Sequence, residues 1–200
     1  MPWEKAFNFE DATDAAERVF RRQGYAGTSI SDLTTAMGIN KGSVYNAYGS
    51  KKGVFDTAFA RYDEKFRQPL LKRLRETEAG PDQIEAFFEA IIDEVVHDEE
   101  FKGCMLINTA MELPHHDDDV AKDVRKRLED TEAFFREALE AGKANGSLSS
   151  DLKIDETARG LMTLLIGLRV MGKVSRDETQ LSIVKRQAMQ LIGADQDRAP

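Results

Sequence analysis

Apolar residues in this chain recur at intervals of three and four positions almost throughout, and no segment alternates in period two for long. That spacing lines one face of a helix and gives a half-buried strand no pattern to use, so an all-α fold follows. Phe9, Ala12, Ala16, Val19 and Phe20 share a face over 8–23, with Asn8 as N-cap and Gly24 as the stop. Thr28 or Ser29 caps a short second helix carrying Ile30, Leu33 and Met37 and ended by Gly38. Asn40 caps a third, from Lys41 to about Tyr48, closed by Gly49. A longer helix from about Ser50 presents Val54, Phe55, Ala58, Phe59, Tyr62 and Phe66 and runs toward Leu74, with Pro69 inside the pattern predicting a kink or break. Further helices are expected over 84–96, 104–113, 119–143, 155–173 and 178–192, about nine in all.

Several classes drop out on composition. At 41% hydrophobic and 32% charged the chain is neither disordered nor membranous. Its uncharged stretch over 160–168 is nine residues long, where a spanning helix needs roughly 20, so no membrane partner is expected. Glu4, Glu10, Asp11, Asp14 and Glu17 break any apolar signal core, and a cytoplasmic protein is expected. A single cysteine, Cys104, cannot form an intramolecular disulfide.

The two short helices joined across Gly38-Ile39-Asn40 match a helix-turn-helix. Gly38 can take the left-handed conformation of the turn, and Val44 points back into the pair. The second helix, Lys41-Gly42-Ser43-Val44-Tyr45-Asn46-Ala47-Tyr48, is small and polar outward, which permits close approach to a groove. An ordinary helical corner would carry the same pattern.

The run Gly24-Tyr25-Ala26-Gly27-Thr28-Ser29-Ile30-Ser31-Asp32-Leu33, then Met37-Gly38-Ile39-Asn40-Lys41-Gly42-Ser43-Val44-Tyr45 and Tyr48-Gly49-Ser50-Lys51, resembles the DNA-binding domain of TetR-family transcriptional repressors. The resemblance implies a three-helix DNA-binding domain over 1–49 and a helical body over 50–200 that dimerises and takes an inducer. It implies partners of three kinds: operator double-stranded DNA, a small-molecule or electrophilic inducer, and a second copy of the chain. By position, Thr28 and Ser29 match residues whose hydroxyls and N–H groups approach phosphate, while Lys41, Gly42, Ser43 and Asn46 match the groove-facing part of the recognition helix. Tyr45 matches an aromatic that touches backbone or bases, and Tyr48 a more structural one. Lys51 matches a phosphate-binding lysine, with Lys52 beside it. Ala47 departs from the pattern, where His or Tyr is usual, and shifts the readout toward Asn46 and Lys41.

A net charge of −8 argues against nucleic acid only until it is divided. Residues 1–75 hold 13 basic and 9 acidic side chains, net +4, and residues 76–200 hold 15 and 27, net −12. The acid sits in the part that need not touch DNA.

In the body, Leu161, Leu164, Leu165, Leu168 and Met171 form one stripe, with Gly160 and Gly167 allowing close helix approach, and Leu181, Val184, Ala188, Leu191 and Ile192 form a second. From spacing alone they line either their own core or a dimer seam, and the resemblance favours the seam. Cys104 is either a small buried hydrophobe or a reactive thiol at a helix start near Lys102, with Asn108 one turn on and expected to face the same cavity. Gly103-Cys104 followed by apolar residues and Asn108 also resembles a TetR subgroup that includes regulators switched by electrophiles or oxidants. His115, His116, Asp117, Asp118 and Asp119 lack metal-ligand spacing, and no metal, cofactor or catalytic set is expected. The competing reading is a small helical enzyme or metabolite carrier whose N-terminal motif is only structural.

Overall fold

The computed structural model describes residues 7–77, 79–98, 103–113 and 117–194, and all its regular elements there are helical. In α1 (Phe9–Gly27) the Asn8 side chain accepts from the N–H groups of Glu10 and Asp11 at 3.0 and 3.3 Å. Gly24 interrupts the helix where its position predicts a stop. It takes φ 74°, bends the axis, and one further turn follows to Gly27. In α2 (Ile30–Met37) Ser29 and Asp32 form a reciprocal capping box, and Gly38 closes the helix in the left-handed region at φ 66°. Asn40 caps α3 (Lys41–Tyr48) by accepting from Ser43 N–H at 2.8 Å.

The long helix expected from Ser50 is continuous through Arg75, as α4 (Lys51–Tyr62), a π-helical segment (Asp63–Arg67) and α5 (Gln68–Arg75). Pro69 causes no break. The π-helical turn directly precedes it, and Pro69 falls in the first turn of α5, where a missing N–H is tolerated. Asp63, buried at the start of that segment, accepts from Arg67 and from Gln68 Nε2 at 2.8 Å. Burial opposes its ionisation, but the bonds from Arg67 and Gln68 outweigh this and hold its carboxyl below the usual carboxylate range.

The body continues with α6 (Pro81–Val96), α7 (Met105–Glu112), α8 (Asp118–Ala144), α9 (Ile154–Gly172) and α10 (Glu178–Leu191). Among the described residues, counting 51–75 as one helix gives nine. No described helix is long and apolar enough to cross a membrane.

Two hydrophobic clusters organise the packing. In one, Phe20, Leu33, Val44, Phe55 and Phe59 from α1 to α4 meet Leu106 of α7, Leu113 just after it, and Val120 and Val124 of α8. In the other, Phe87 and Phe88 pack against Phe134 and Phe135, with Leu139, Leu161, Leu168, Leu181 and Ile192 completing the layer. These layers take up most of the two stripes expected at a seam. Leu161, Leu165, Leu168, Leu181, Val184 and Ala188 are buried in their own chain, and Leu164 is half-buried against the same cluster. Helical spacing marks a buried face without saying which chain buries it. On α9 and α10 the apolar residues left exposed are Ile166, Val170, Met171, Ile183 and Leu191, with Val174 just beyond at 85% exposure.

Candidate nucleic-acid interface and internal cavity

Only Val44 of α3 is buried, and it anchors the helix against Leu33 and Met37 of α2. The remaining face presents Lys41, Gly42, Tyr45, Asn46 and Ala47 to solvent, with Ser43 half-exposed at the N-terminus. Tyr45 is 43% exposed, and Lys41 Nζ lies 5.8 Å from its ring centroid, so the cation and the aromatic stand together on this face. Lys51 Nζ sits 4.3 Å from the Tyr25 ring centroid, which ties the start of α4 to the end of α1.

Several of the sequence-derived positions have their polar groups engaged within the chain. Thr28 is 2% exposed and its hydroxyl donates to the Gly24 carbonyl at 2.6 Å, so it fastens the bend of α1 and offers no hydroxyl outward. Its neighbour Ser29 is exposed, with its hydroxyl on Asp32 at 2.7 Å. Tyr48 stacks on Phe9 at 4.9 Å and bonds Thr13 through its hydroxyl at 2.9 Å, a packing role. Lys52 pairs with Asp56 at 2.5 Å and Asp117 at 3.5 Å, which largely neutralises it. Asp117 in turn caps α8 by accepting from Asp119 and Val120 N–H groups. His115, His116 and Lys102 lie outside the described residues, among which no group of three His, Cys, Asp or Glu side chains could hold a metal ion.

The body encloses a cavity of about 50 Å³ where the π segment, α6, α7, α8 and α9 meet. Phe66, Phe87, Ile91, Leu106 and Met162 make its wall apolar, and Cys104, Tyr62, Glu94 and Arg169 supply the polar edge. Arg169 donates to Glu94 at 2.7 Å, and Arg21 reaches from α1 to within 3.8 Å of the same carboxylate and 3.2 Å of Glu17. Burial opposes ionisation of Glu94, yet the Arg169 and Arg21 guanidiniums prevail and hold its carboxyl below the usual range. Burial, reinforced by Cys104 and Glu94, pushes the Tyr62 phenol well up.

Cys104 is 9% exposed and is the N-cap of α7, with extended backbone at φ −84° and ψ 123°, not a residue of its first turn. The four-residue step to Asn108 therefore does not place both on one face. Asn108 lines a separate cleft with Met111 and Lys173, donates to the Arg21 carbonyl at 3.2 Å and accepts from Lys173 Nζ at 3.0 Å. Phe87 and Ile91 reach the cavity, whereas Met111 is 71% exposed. Sequence reasoning missed the Glu94 and Arg169 pair because the two lie 75 residues apart and leave no local spacing to read.

A helix-turn-helix carried on an all-helical body with an internal cavity defines a class of bacterial regulator, and the comparisons agree. Residues 12–58 match the model of bacterial regulatory proteins of the tetR family, and residues 80–188 match the tetracyclin repressor-like C-terminal domain. The chain belongs to the TetR family of transcriptional regulators. It is 30% identical to YezE, an uncharacterized HTH-type transcriptional regulator of Bacillus subtilis, over 88% of this chain and 92% of YezE. It is 26% identical to the HTH-type transcriptional repressor DhaR of a Mycobacterium species, over 82% and 81% of the two chains. The fold superposes with a TM-score of 0.85 on a cysteine mutant of the TetR-family regulator CifR complexed with 26-bp double-strand operator DNA, at 27% identity over 94% of this chain and 98% of that one.

Proposed function

We propose that this chain is a homodimeric transcriptional repressor that reads operator DNA through α3 and is released by a ligand or modifier acting in the body. The observation that carries the reading is the outward face of α3, where Lys41, Gly42, Tyr45 and Asn46 are exposed together while Val44 and Tyr48 anchor the helix from behind. Backbone approach at Gly42, donors at Lys41 and Asn46, and a flat aromatic at Tyr45 suit the major groove and its phosphates. The CifR complex with operator DNA supports the same reading. Ser29, Ser43 and Lys51 flank this face and are assigned to phosphate; Thr28, Tyr48 and Lys52 support it from behind. Residues 1–49 act as the reading head and 50–200 as the regulatory body, in the cytoplasm.

One head makes few contacts, and two heads on a symmetric site supply the specificity. The exposed apolar faces of α9 and α10, with Ile166, Val170, Met171, Ile183 and Leu191, are the assigned dimer seam. Gly167 lies on that face with open space where a Cβ would stand, which lets a second helix come close.

A thiol-triggered release is favoured by one specific observation: Cys104 lines the cavity beside Arg169 and Glu94. An apolar ligand filling the same cavity is the alternative trigger. A gel-shift assay with random duplexes at low salt tests the function, since a small enzyme or carrier would form no sequence-preferring complex. Titrating release with an N-alkylmaleimide or a quinone, for wild type and Cys104→Ser, separates the triggers. Equal release from both removes Cys104 as the switch.

A further inference from the structure

The end of α1 and the end of α7 meet in an unusual contact. Gly24, at φ 74°, turns the last residues of α1 away from the helix axis and leaves the N–H groups of Tyr25 and Ala26 facing the body. Glu112, the last residue of α7, fills that position: its two carboxylate oxygens accept from Tyr25 N–H at 2.8 Å and from Ala26 N–H at 2.5 Å. A Cβ on Gly24 would stand 2.7 Å from Glu112 Oε2, so the absence of a side chain there is what admits the carboxylate. Two more bonds tie α1 to α7 and to the residues leading into it. Arg21 Nε donates to the Gly103 carbonyl at 2.7 Å, and Asn108 Nδ2 donates to the Arg21 carbonyl at 3.2 Å.

The opposite end of α7 belongs to the cavity, where Cys104, Leu106 and Ile107 form part of the wall. The helix is eight residues long and rigid, so a shift forced at the wall is carried to Glu112. Beyond Ala26 the chain has only Gly27 and Thr28 before Ser29 caps α2. Whatever holds Tyr25 and Ala26 therefore contributes, beside the packing of α1 and α4 on the body, to where the helix-turn-helix sits.

We propose that α7 couples the cavity to the reading head, with the Glu112 carboxylate as the positioning group that holds the Tyr25–Ala26 backbone at the entry to α2. This rests on the repressor reading above and deepens its regulation. Glu112 touches no DNA. It fixes the spacing of the two heads in the dimer, while the inside of each head is held by Leu33, Met37 and Val44. Its loss therefore acts on a two-headed site and spares a single half-site.

The experiment compares wild type, Glu112→Gln, Leu128→Phe and the double variant, all as full chains. Gln keeps the size of Glu112 but presents an NH₂ to one of two N–H groups. Leu128 lies on the cavity wall contributed by α8, so Phe there stands in for an occupant without altering α7. Duplexes selected by wild type are used whole and cut to one half-site, and amide hydrogen exchange is followed at Tyr25 and Ala26. Glu112→Gln is expected to weaken whole-site binding about tenfold with half-site binding and melting temperature nearly unchanged. Leu128→Phe is expected to do the same and to speed exchange at both amides, and the double variant to be no worse than either single. Unchanged whole-site binding by Glu112→Gln, an equal loss on half-sites, additive effects in the double variant, or unaltered exchange in Leu128→Phe overturns the coupling. Failure of wild type to select any duplex removes the repressor reading instead, and the exchange comparison still decides whether cavity and head are linked.

Discussion

Arg169 donates to Glu94 at 2.7 Å across the edge of the cavity, and the pair joins α9 to α6 beneath the reading head. Arg169 is 9% exposed, so its charge depends on that carboxylate for compensation. Taking one partner of such a pair away leaves an uncompensated charge, which costs more than replacing both. Arg169→Met should lower unfolding free energy by about 3 kcal/mol in urea titration, and adding Glu94→Leu should restore a good part of it.

The same pair gives a pH dependence of known sign. The folded-state pKa of Glu94 lies below its ordinary value of 4.5, so the stabilisation is complete above that value and is lost as pH falls through the depressed one. Asp14, lowered chiefly by its bond from Arg61, and Asp63 add to the loss below 3.8. Stability measured against pH should fall on the acid side for wild type, and Glu94→Gln should flatten the first part of that fall. A Glu94→Gln curve parallel to wild type would show that Glu94 does not carry it.

Lysines on the reading head should separate by their partners. Lys41→Ala and Lys51→Ala should each reduce the slope of log affinity against log salt by about one unit, with weaker binding to all sequences. Lys52→Ala should change it far less, because Asp56 and Asp117 already hold that ammonium. Fluorescence anisotropy over a salt series reads both.

The two faces of α9 should respond differently to substitution. Val170→Glu lies on the exposed face and should yield a folded chain that sediments as a monomer. Leu161→Ala lies in the core and should cost about 3 kcal/mol of stability at any protein concentration. A dimeric Val170→Glu would place the seam elsewhere.

Gly53 marks a close approach between α3 and α4. A Cβ there would stand 1.9 Å from the Tyr48 carbonyl oxygen, a backbone atom that cannot move aside alone. Gly53→Ala should destabilise the chain by about 2 kcal/mol or more in thermal melting, through displacement of α3.

The reading head was legible because its signals are local. Asn8, Ser29, Asn40 and Ser50 each cap the helix that follows, and Gly38 ends α2 where its position in the sequence says it should. The body was legible as helices but not as an interface. The strong stripe of Leu161, Leu165 and Leu168 is the one the chain buries for itself, and the exposed strip of Ile166, Val170 and Met171 is weaker in apolar content and interleaved with it. Cys104 and Asn108 parted for a related reason, since spacing of four implies one face only when both residues are helical and Cys104 is a cap. Glu112 was invisible because its partners lie 86 and 87 residues away.

The central claim is that two copies of α3 read a symmetric operator. Sequencing the duplexes that the full chain retains from a random pool tests it most directly. The expected result is enrichment of a two-fold symmetric site whose half-sites are separated by one helical turn of DNA or a multiple of it, lost on Tyr45→Ala with Asn46→Ala. A retained pool without sequence preference at low salt, or one that both substitutions leave unchanged, would contradict it.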